Sequence, residues 1–258
     1  MSWMEAFFDD VYLEFMQYYR GEEASKAEAF FVAKTLGVKP GVRVLDVACG
    51  HGRHMAYMPR DTVVGIDINL AYLKVAKKHG DVVQADVRSL PFRRGAFHGA
   101  YIMHSTFGMF GDEVDMEILT WLSGVVKQGG RLVIDVANKD KIESVYASLG
   151  DVWNFWISAG PFRVLSTAHY NPVASRIRET RLIYKGGKLL GERVLELRLY
   201  GLGELKLMLS SVGFVIENVY GDFDGQAYSK SSDRLIVVAV KTGGVPRSLK
   251  QAMDWADL

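Results

Sequence analysis

With 258 residues, 49% of them hydrophobic, the chain has apolar material for a large packed core, and 31 lysines and arginines against 30 acids leave a net charge of only +1. That balance excludes a global field for holding nucleic acid or an anionic membrane. The single cysteine, Cys49, excludes an intrachain disulfide and cannot by itself make a zinc site, which fits a reducing, cytoplasmic setting.

The opening stretch, MSWMEAFFDDVYLEFMQYYRGEE, is aromatic but carries acids throughout, so it lacks the basic start and clean apolar centre of a signal peptide. No later run reaches the length of a membrane span. Residues 1–40 read as two helices parting near Gly21, with Phe7, Phe8, Val11, Phe15 and Tyr18 at helical spacing. Core packing is the ordinary reading of such a stripe. The sharper one is a lid over a ligand, with Tyr12, Tyr18 and Tyr19 reaching toward it.

From Val42, short β-branched runs alternate with helix-length segments: VRVLDVA, TVVGIDI, DVVQAD, GAYIMHS and RLVIDVA. This alternation predicts an α/β fold with a doubly wound, mostly parallel sheet. Asn69 to His79 reads as a helix capped by Asn69 and stopped by Gly80, and Asp112 to Val126 as one capped by Asp112 and ended before KQGG. The alternation fails over 151–200. There SRIRETRLIY and GERVLELRLY flank a turn at Gly186 and Gly187, predicting an antiparallel β insertion. GELKLMLSSVG returns to helix, and FVIENVYG and RLIVVAVK close the sheet. Residues 41–150 and 201–241 would then form one α/β domain, 151–200 a substrate cap, and 242–258 a tail.

In an open parallel sheet, ligands bind beyond the carboxyl ends of the strands where the strand order reverses. Strand one ends at Asp46 and enters ACGHGRH, in which Gly50 and Gly52 let the backbone approach a ligand closely. The second strand ends in Asp67, at the distance past the glycines where a carboxylate takes ribose hydroxyls. Asp86 ends the third, in QADV, and Met103 and His104 end the fourth, in MHST. An unpaired buried carboxylate is costly, so Asp46 needs donors from somewhere.

At these residues the sequence resembles the class I S-adenosylmethionine-dependent methyltransferases, small-molecule type. VLDVACGHGRH is similar to their first motif, VVGIDIN to the second, QADVRSLPF to the third-strand acid, GAYIMHSTFGMF to the fourth strand, and VVKQGGRLVIDV to the turn and strand that follow. The resemblance is strong over Val42 to Val136 and moderate over Gly203 to Lys241. It implies a seven-stranded, Rossmann-like sheet and S-adenosylmethionine as cofactor, with S-adenosylhomocysteine as product. Asp46 with the backbone of Ala48, Gly50 and Gly52 would face the methionine part, whose ammonium suits a carboxylate. Asp67 would hold the ribose and Ile68 would meet the adenine. Asp86 would accept from the adenine amine, while Val87 and Met103 line the pocket. Ala48 departs from the family, which usually has glycine there. The rival cofactor, NAD, lacks its third glycine, with Met55 near that place.

Methyl transfer needs alignment and dryness, and a general base only where the acceptor must lose a proton. His104 is the candidate for that base, against the alternative of a hydrogen-bonded wall residue. His169 and Tyr170 of the insertion could reach the pocket or be plain strand residues. HGRH has no evident acid or cysteine partner, so no metal is expected. Cys49 reads as a small buried loop residue, without a base for nucleophilic work. Trp153, Phe155, Trp156 and Phe162 offer an apolar cover. Arg176, Arg178 and Arg181, if clustered inward, would point to an acidic substrate. In YGDFDGQAYSKSSDR, Asp222, Asp224 and Asp233 lack the distal glutamate of a calcium loop, and Tyr220 and Tyr228 could touch substrate. The expected function is methylation of an oxygen or nitrogen of a small molecule. The alternatives are an RNA or protein methyltransferase, which the neutral charge disfavours, and a binding protein without turnover. A homo-oligomer is left open.

Overall fold

The structure, a computed structural model, describes residues 7–243, so most of the 242–258 tail lies outside the described residues. Two helices, α1 (Asp10–Tyr19) and α2 (Glu22–Leu36), precede the sheet strands β1 (Val44–Val47), β2 (Val63–Asp67), β3 (Asp81–Gln84), β4 (Phe97–Ile102) and β5 (Val126–Ala137). Helix α3 (Leu70–Ala76) joins β2 to β3, and α4 (Asp112–Val125) joins β4 to β5. After α5 (Lys139–Leu149) come β6 (Val152–Ala159), β7 (Phe162–Asn171), β8 (Arg176–Lys185) and β9 (Lys188–Arg198). Helix α6 (Leu202–Ser211) and strands β10 (Phe214–Tyr220) and β11 (Arg234–Lys241) complete the order.

The larger sheet runs β10-β11-β5-β4-β1-β2-β3, parallel except for β11, which is antiparallel to both neighbours. Strand β1 pairs with β2 on one side and β4 on the other, so the order reverses at β1, beside the end of Asp46. Every residue of β1 is buried, as expected for a parallel strand covered on both faces. One face packs Leu45, Val47, Ile66, Ile102 and Ile134 with α4 and α6. The other packs Val44, Val63, Tyr101 and Val133 against Ala29, Val32 and Leu36 of α2.

The smaller sheet, β6-β7-β8-β9, is antiparallel throughout. Along β7 the buried positions alternate from Phe162 to Tyr170, a half-buried strand. Its apolar face meets α1: Phe15 packs with Ala159, Phe162, Val164 and Ile183. Ion pairs fasten the same helix, Lys185 to Glu14 at 2.7 Å and Arg193 to Asp9.

Several sequence expectations change in detail. The helix expected over 69–79 ends at Ala76, although Asn69 does cap it, accepting from Ala71 and Tyr72 backbone N–H groups. Gly111, not Asp112, is the N-cap of α4, and Asp112 sits in its first turn facing the positive helix end. KQGG is no free turn: β5 starts at Val126 and bulges against β4 between Phe97 and Gly99. The insertion has four strands, because β6 carries the tryptophans on a strand with little burial to make it legible.

Candidate functional site

A cavity of about 490 Å³ opens at the carboxyl ends of β1, β2 and β4, where the topology predicts a ligand. Of the residues expected to meet a cofactor, Asp46, Ala48, Gly50, Asp67, Ile68, Asp86, Val87 and Met103 line it. Gly52 does not. It packs on α3, where an added Cβ would come within 2.9 Å of Ala76.

Asp46 is only 2% exposed, and its Oδ2 atom is buried without a hydrogen-bond partner. Burial pushes its carboxyl up to about 7, against the pull of the Tyr101 hydroxyl, its register neighbour on β4, and of Arg53. Asp67 is engaged but not exhausted: one oxygen accepts the Gly50 N–H at 2.9 Å and the other the Asn69 N–H at 2.8 Å. Burial raises it too, opposed by those N–H groups. Asp86 lines the cavity with its carboxylate gripped by Arg88, whose hydrogen bonds hold it below the ordinary range. An adenine amine would share that carboxylate with a guanidinium.

The loops carry backbone strain where they meet the cavity. Ala48, His104 and Ser105 have φ of 58°, 55° and 60°, the left-handed region that costs a residue with a Cβ on the order of 1–3 kcal/mol. For His104 and Ser105 the restraint is Asp135 of β5, fully buried, whose Oδ2 accepts the His104 N–H at 2.8 Å while its carbonyl accepts that of Ser105. Arg234 holds the other oxygen of Asp135 at 2.6 Å.

The remaining wall comes from Phe8 just before α1, from Tyr12, Leu13 and Met16 of α1, and from Met109 and Phe110 of the loop after β4. Tyr12 and His104 thus reach the cavity, while five other residues expected to meet substrate are placed elsewhere. Tyr19 stacks on Phe15 at the surface. His169 is exposed, 3.9 Å from Asp151. Tyr170 is buried against α5, edge-on to Tyr146, and donates to Glu143. Arg181 is bound to Glu179 at 2.8 Å beside Phe7, and Tyr228 donates to Asn138 and Asp140. Nor do the three arginines cluster inward, since Arg176 pairs with Glu196 and Arg178 is exposed. Asp233 pairs with Lys141, and Asp222 and Asp224 accept from their own turn.

The sequence reading missed Glu28. This α2 residue, 3% exposed, places Oε2 at 2.8 Å from Nε2 of both His54 and His104 and 2.5 Å from Arg53 Nη1. HGRH therefore does have an acid beside it, brought by a helix 26 residues upstream of His54. The ligand atoms of Glu28, His54 and His104 lie within 4.8 Å of one another, a spacing that suits a metal ion, but the Arg53 guanidinium already supplies the cation. Against the effect of burial, bonds from His104 and His54 and the Arg53 charge keep Glu28 ionised far below the usual range. Burial and Arg53 bring His54 down to about 3, and burial also lowers His104, so both rings are neutral near pH 7. A glutamate inside the buried stripe Ser25, Ala29, Val32, Leu36 was the available signal.

Residues 44–130 match a family model described as a methyltransferase domain. The cycloartenol-C-24-methyltransferase of Arabidopsis thaliana is 32% identical over 120 residues, a match covering 41% of this chain and 34% of that protein. The chain thus spans about a third of the length of that curated relative. Among solved structures, the CcbJ methyltransferase of Streptomyces caelestis superposes with a TM-score of 0.73 at 16% identity, over 89% of this chain and 96% of that one. An S-adenosylmethionine-dependent methyltransferase of Clostridium acetobutylicum gives 0.73 at 14% identity, over 90% and 97%. Residues 44–130 are thus similar in sequence to a methyltransferase domain, and the chain shares its fold, strand order included, with these solved methyltransferases.

Proposed function

We propose that this chain binds S-adenosylmethionine in the cavity beyond β1, β2 and β4 and methylates an oxygen or nitrogen of a small, largely apolar molecule. The observation that carries this is Asp46 Oδ2, a buried carboxylate oxygen without a partner at the entrance of the glycine loop. An ammonium group is the donor such an atom lacks. Asp67 has a second lone pair on each oxygen for the ribose hydroxyls, and Ile68 and Val87 give an apolar slot for a purine.

When bound, the cofactor supplies an activated methyl group on a sulfonium. The chain's own work is then to align the acceptor, exclude water and move one proton. Tyr12, Leu13 and Met16 of α1 cover the acceptor end, which accounts for the apolar preference, and α1 rests on the insertion sheet as one cover. His104, neutral and on the cavity wall, is the proton acceptor. The cytoplasm is the setting we infer, on the lone thiol of Cys49. Among the described residues no helix is long and apolar enough to cross a membrane.

The test is calorimetric titration of the full chain with S-adenosylmethionine, S-adenosylhomocysteine and NAD, followed by an acceptor screen. Saturable binding of the first two, weakened in Asp67→Ala, is the expected result. Binding of NAD instead, or of none, refutes it. Because the plant relative is named a C-methyltransferase, methylation at carbon is the competing outcome of the screen.

A further inference from the structure

Glu28 presents one oxygen, Oε2, to three nitrogen groups at once: Arg53 Nη1, His54 Nε2 and His104 Nε2. The three come from the loop after β1 and the end of β4, so the carboxylate of α2 ties the glycine loop to the strand bearing the proposed base. Glu28 itself does not line the cavity, whereas Arg53, His54 and His104 do. An ionised carboxylate only accepts hydrogen bonds, and a neutral imidazole bears one N–H. Whichever ring nitrogen faces Glu28 at 2.8 Å must therefore carry the hydrogen.

Arg53 Nη2 also touches His104 Nε2, which would favour the opposite tautomer with that nitrogen as acceptor. That choice sets two lone pairs, of Nε2 and Oε2, against each other in a buried place, and leaves the carboxylate one donor short. The guanidinium loses only the Nη2 contact, since Nη1 keeps both Glu28 and the Ser25 hydroxyl, the latter at 3.2 Å. We propose that Glu28, anchored by Arg53 and His54, is a positioning residue that fixes His104 as the Nε2–H tautomer and so leaves Nδ1 as the nitrogen that takes the acceptor's proton. The proposal rests on the methyl-transfer reading. As the acceptor atom gains the methyl group, sulfur keeps the electron pair of the broken bond, the acceptor's proton passes to Nδ1, and it leaves to water after turnover.

Four charged or titratable groups surround His104: Glu28 from α2, Arg53 and His54 from the loop after β1, and Asp135 from β5, already engaged by Arg234. Glu28 and Asp135 favour a proton on the ring, while Arg53 opposes it.

The experiment is nitrogen-15 imidazole NMR of the full chain across pH, with His104 assigned by its loss in His104→Gln. In the parent protein His104 is expected as the Nε2–H tautomer, titrating below 6.5. Glu28→Gln should mix the tautomers and lower the proton affinity of His104 about tenfold, while Arg53→Met should raise it by a similar factor. Glu28→Gln should also keep S-adenosylhomocysteine affinity within threefold while kcat falls about tenfold or more, with KM for the acceptor little changed. An Nδ1–H tautomer in the parent protein, or titration unmoved in both variants, overturns the proposal. So does saturable zinc binding that perturbs His54 and His104 and disappears in Glu28→Gln, for that would make the cluster a metal site. If Glu28→Gln fails to fold, Arg53→Met carries the test. Failure of the parent protein to bind S-adenosylhomocysteine refutes the methyl-transfer reading, and that result is separate from the tautomer.

Discussion

Asp67, the last residue of β2, accepts the backbone N–H of Gly50 at 2.9 Å, so the acid of one strand end holds the glycine loop of the next. The same carboxylate accepts the Asn69 N–H, and Asn69 in turn caps α3. Asp67 therefore shapes the cavity before it meets any ligand.

Replacing it separates these duties. Asp67→Ala should leave the Gly50 and Asn69 N–H groups short of an acceptor, at a cost of about 1–3 kcal/mol in denaturant melts, and weaken S-adenosylhomocysteine binding by about tenfold or more. Asp67→Asn keeps one acceptor oxygen and should fall between. Equal binding by all three proteins would remove Asp67 from the site.

Asp46 should make binding depend on pH. Its carboxyl titrates near 7 in the free chain, and an ammonium partner favours the ionised form, so binding lowers that value and releases a proton. Affinity for S-adenosylhomocysteine should then fall as pH drops through 7, by up to about tenfold per unit, and level off above it. Asp46→Asn should bind weakly and without this slope. Calorimetry in two buffers of different ionisation enthalpy checks the proton count, and uptake rather than release contradicts the assignment.

Asp46 and Asp67 were legible because each falls at the end of an apolar run, and burial of both faces makes β1 and β2 nearly free of other polar residues, whereas Asp86 lies two residues past β3, a strand of exposed and half-buried residues. Glu28 was not, since nothing in the chain near His54 or His104 points to a residue 26 or 76 positions away. Only the odd placement of a glutamate among Ser25, Ala29 and Val32 could have signalled it. Strand β6 was hidden for the opposite reason: Val152, Phe155 and Trp156 are exposed, so its pattern lacks the alternation a half-buried strand shows. The placements of His169, Tyr170 and Arg181 depended on which face of the insertion meets α1, and strand period alone cannot supply that. For Arg181 the decisive neighbour was Glu179, two residues away on the same strand face.

Ala48 offers a test of strain. Its φ of 58° suits glycine, which the resembling family usually has there, so Ala48→Gly should stabilise the chain by about 0.5–1 kcal/mol despite the greater freedom of the unfolded glycine. Gly52→Ala should do the reverse, since φ of 78° and contact with Ala76 both oppose a Cβ, and a loss of about 1–3 kcal/mol is expected. Denaturant midpoints of the two variants, measured side by side, decide the matter. A destabilised Ala48→Gly would show that the loop conformation is not held at that cost.

The attachment of α1 to the insertion sheet predicts how the acceptor end is covered. Phe162 is fully buried against Phe15, their ring centroids 5.9 Å apart, while the half-exposed pair Lys185–Glu14 is worth little singly and the more buried Arg193–Asp9 adds a second anchor. Phe162→Ala should remove about 3–5 kcal/mol of local packing, enough to free α1 from the sheet without touching the strand ends. Amide exchange in α1 should accelerate, and the KM for the acceptor should rise several-fold, while S-adenosylhomocysteine affinity changes less than threefold. Tyr12 and Met16 would carry that effect, because both sit on α1 and both face the cavity. Should amide exchange rise with KM unmoved, α1 would be a structural brace and the acceptor would be held by the β4 loop, at Met109 and Phe110.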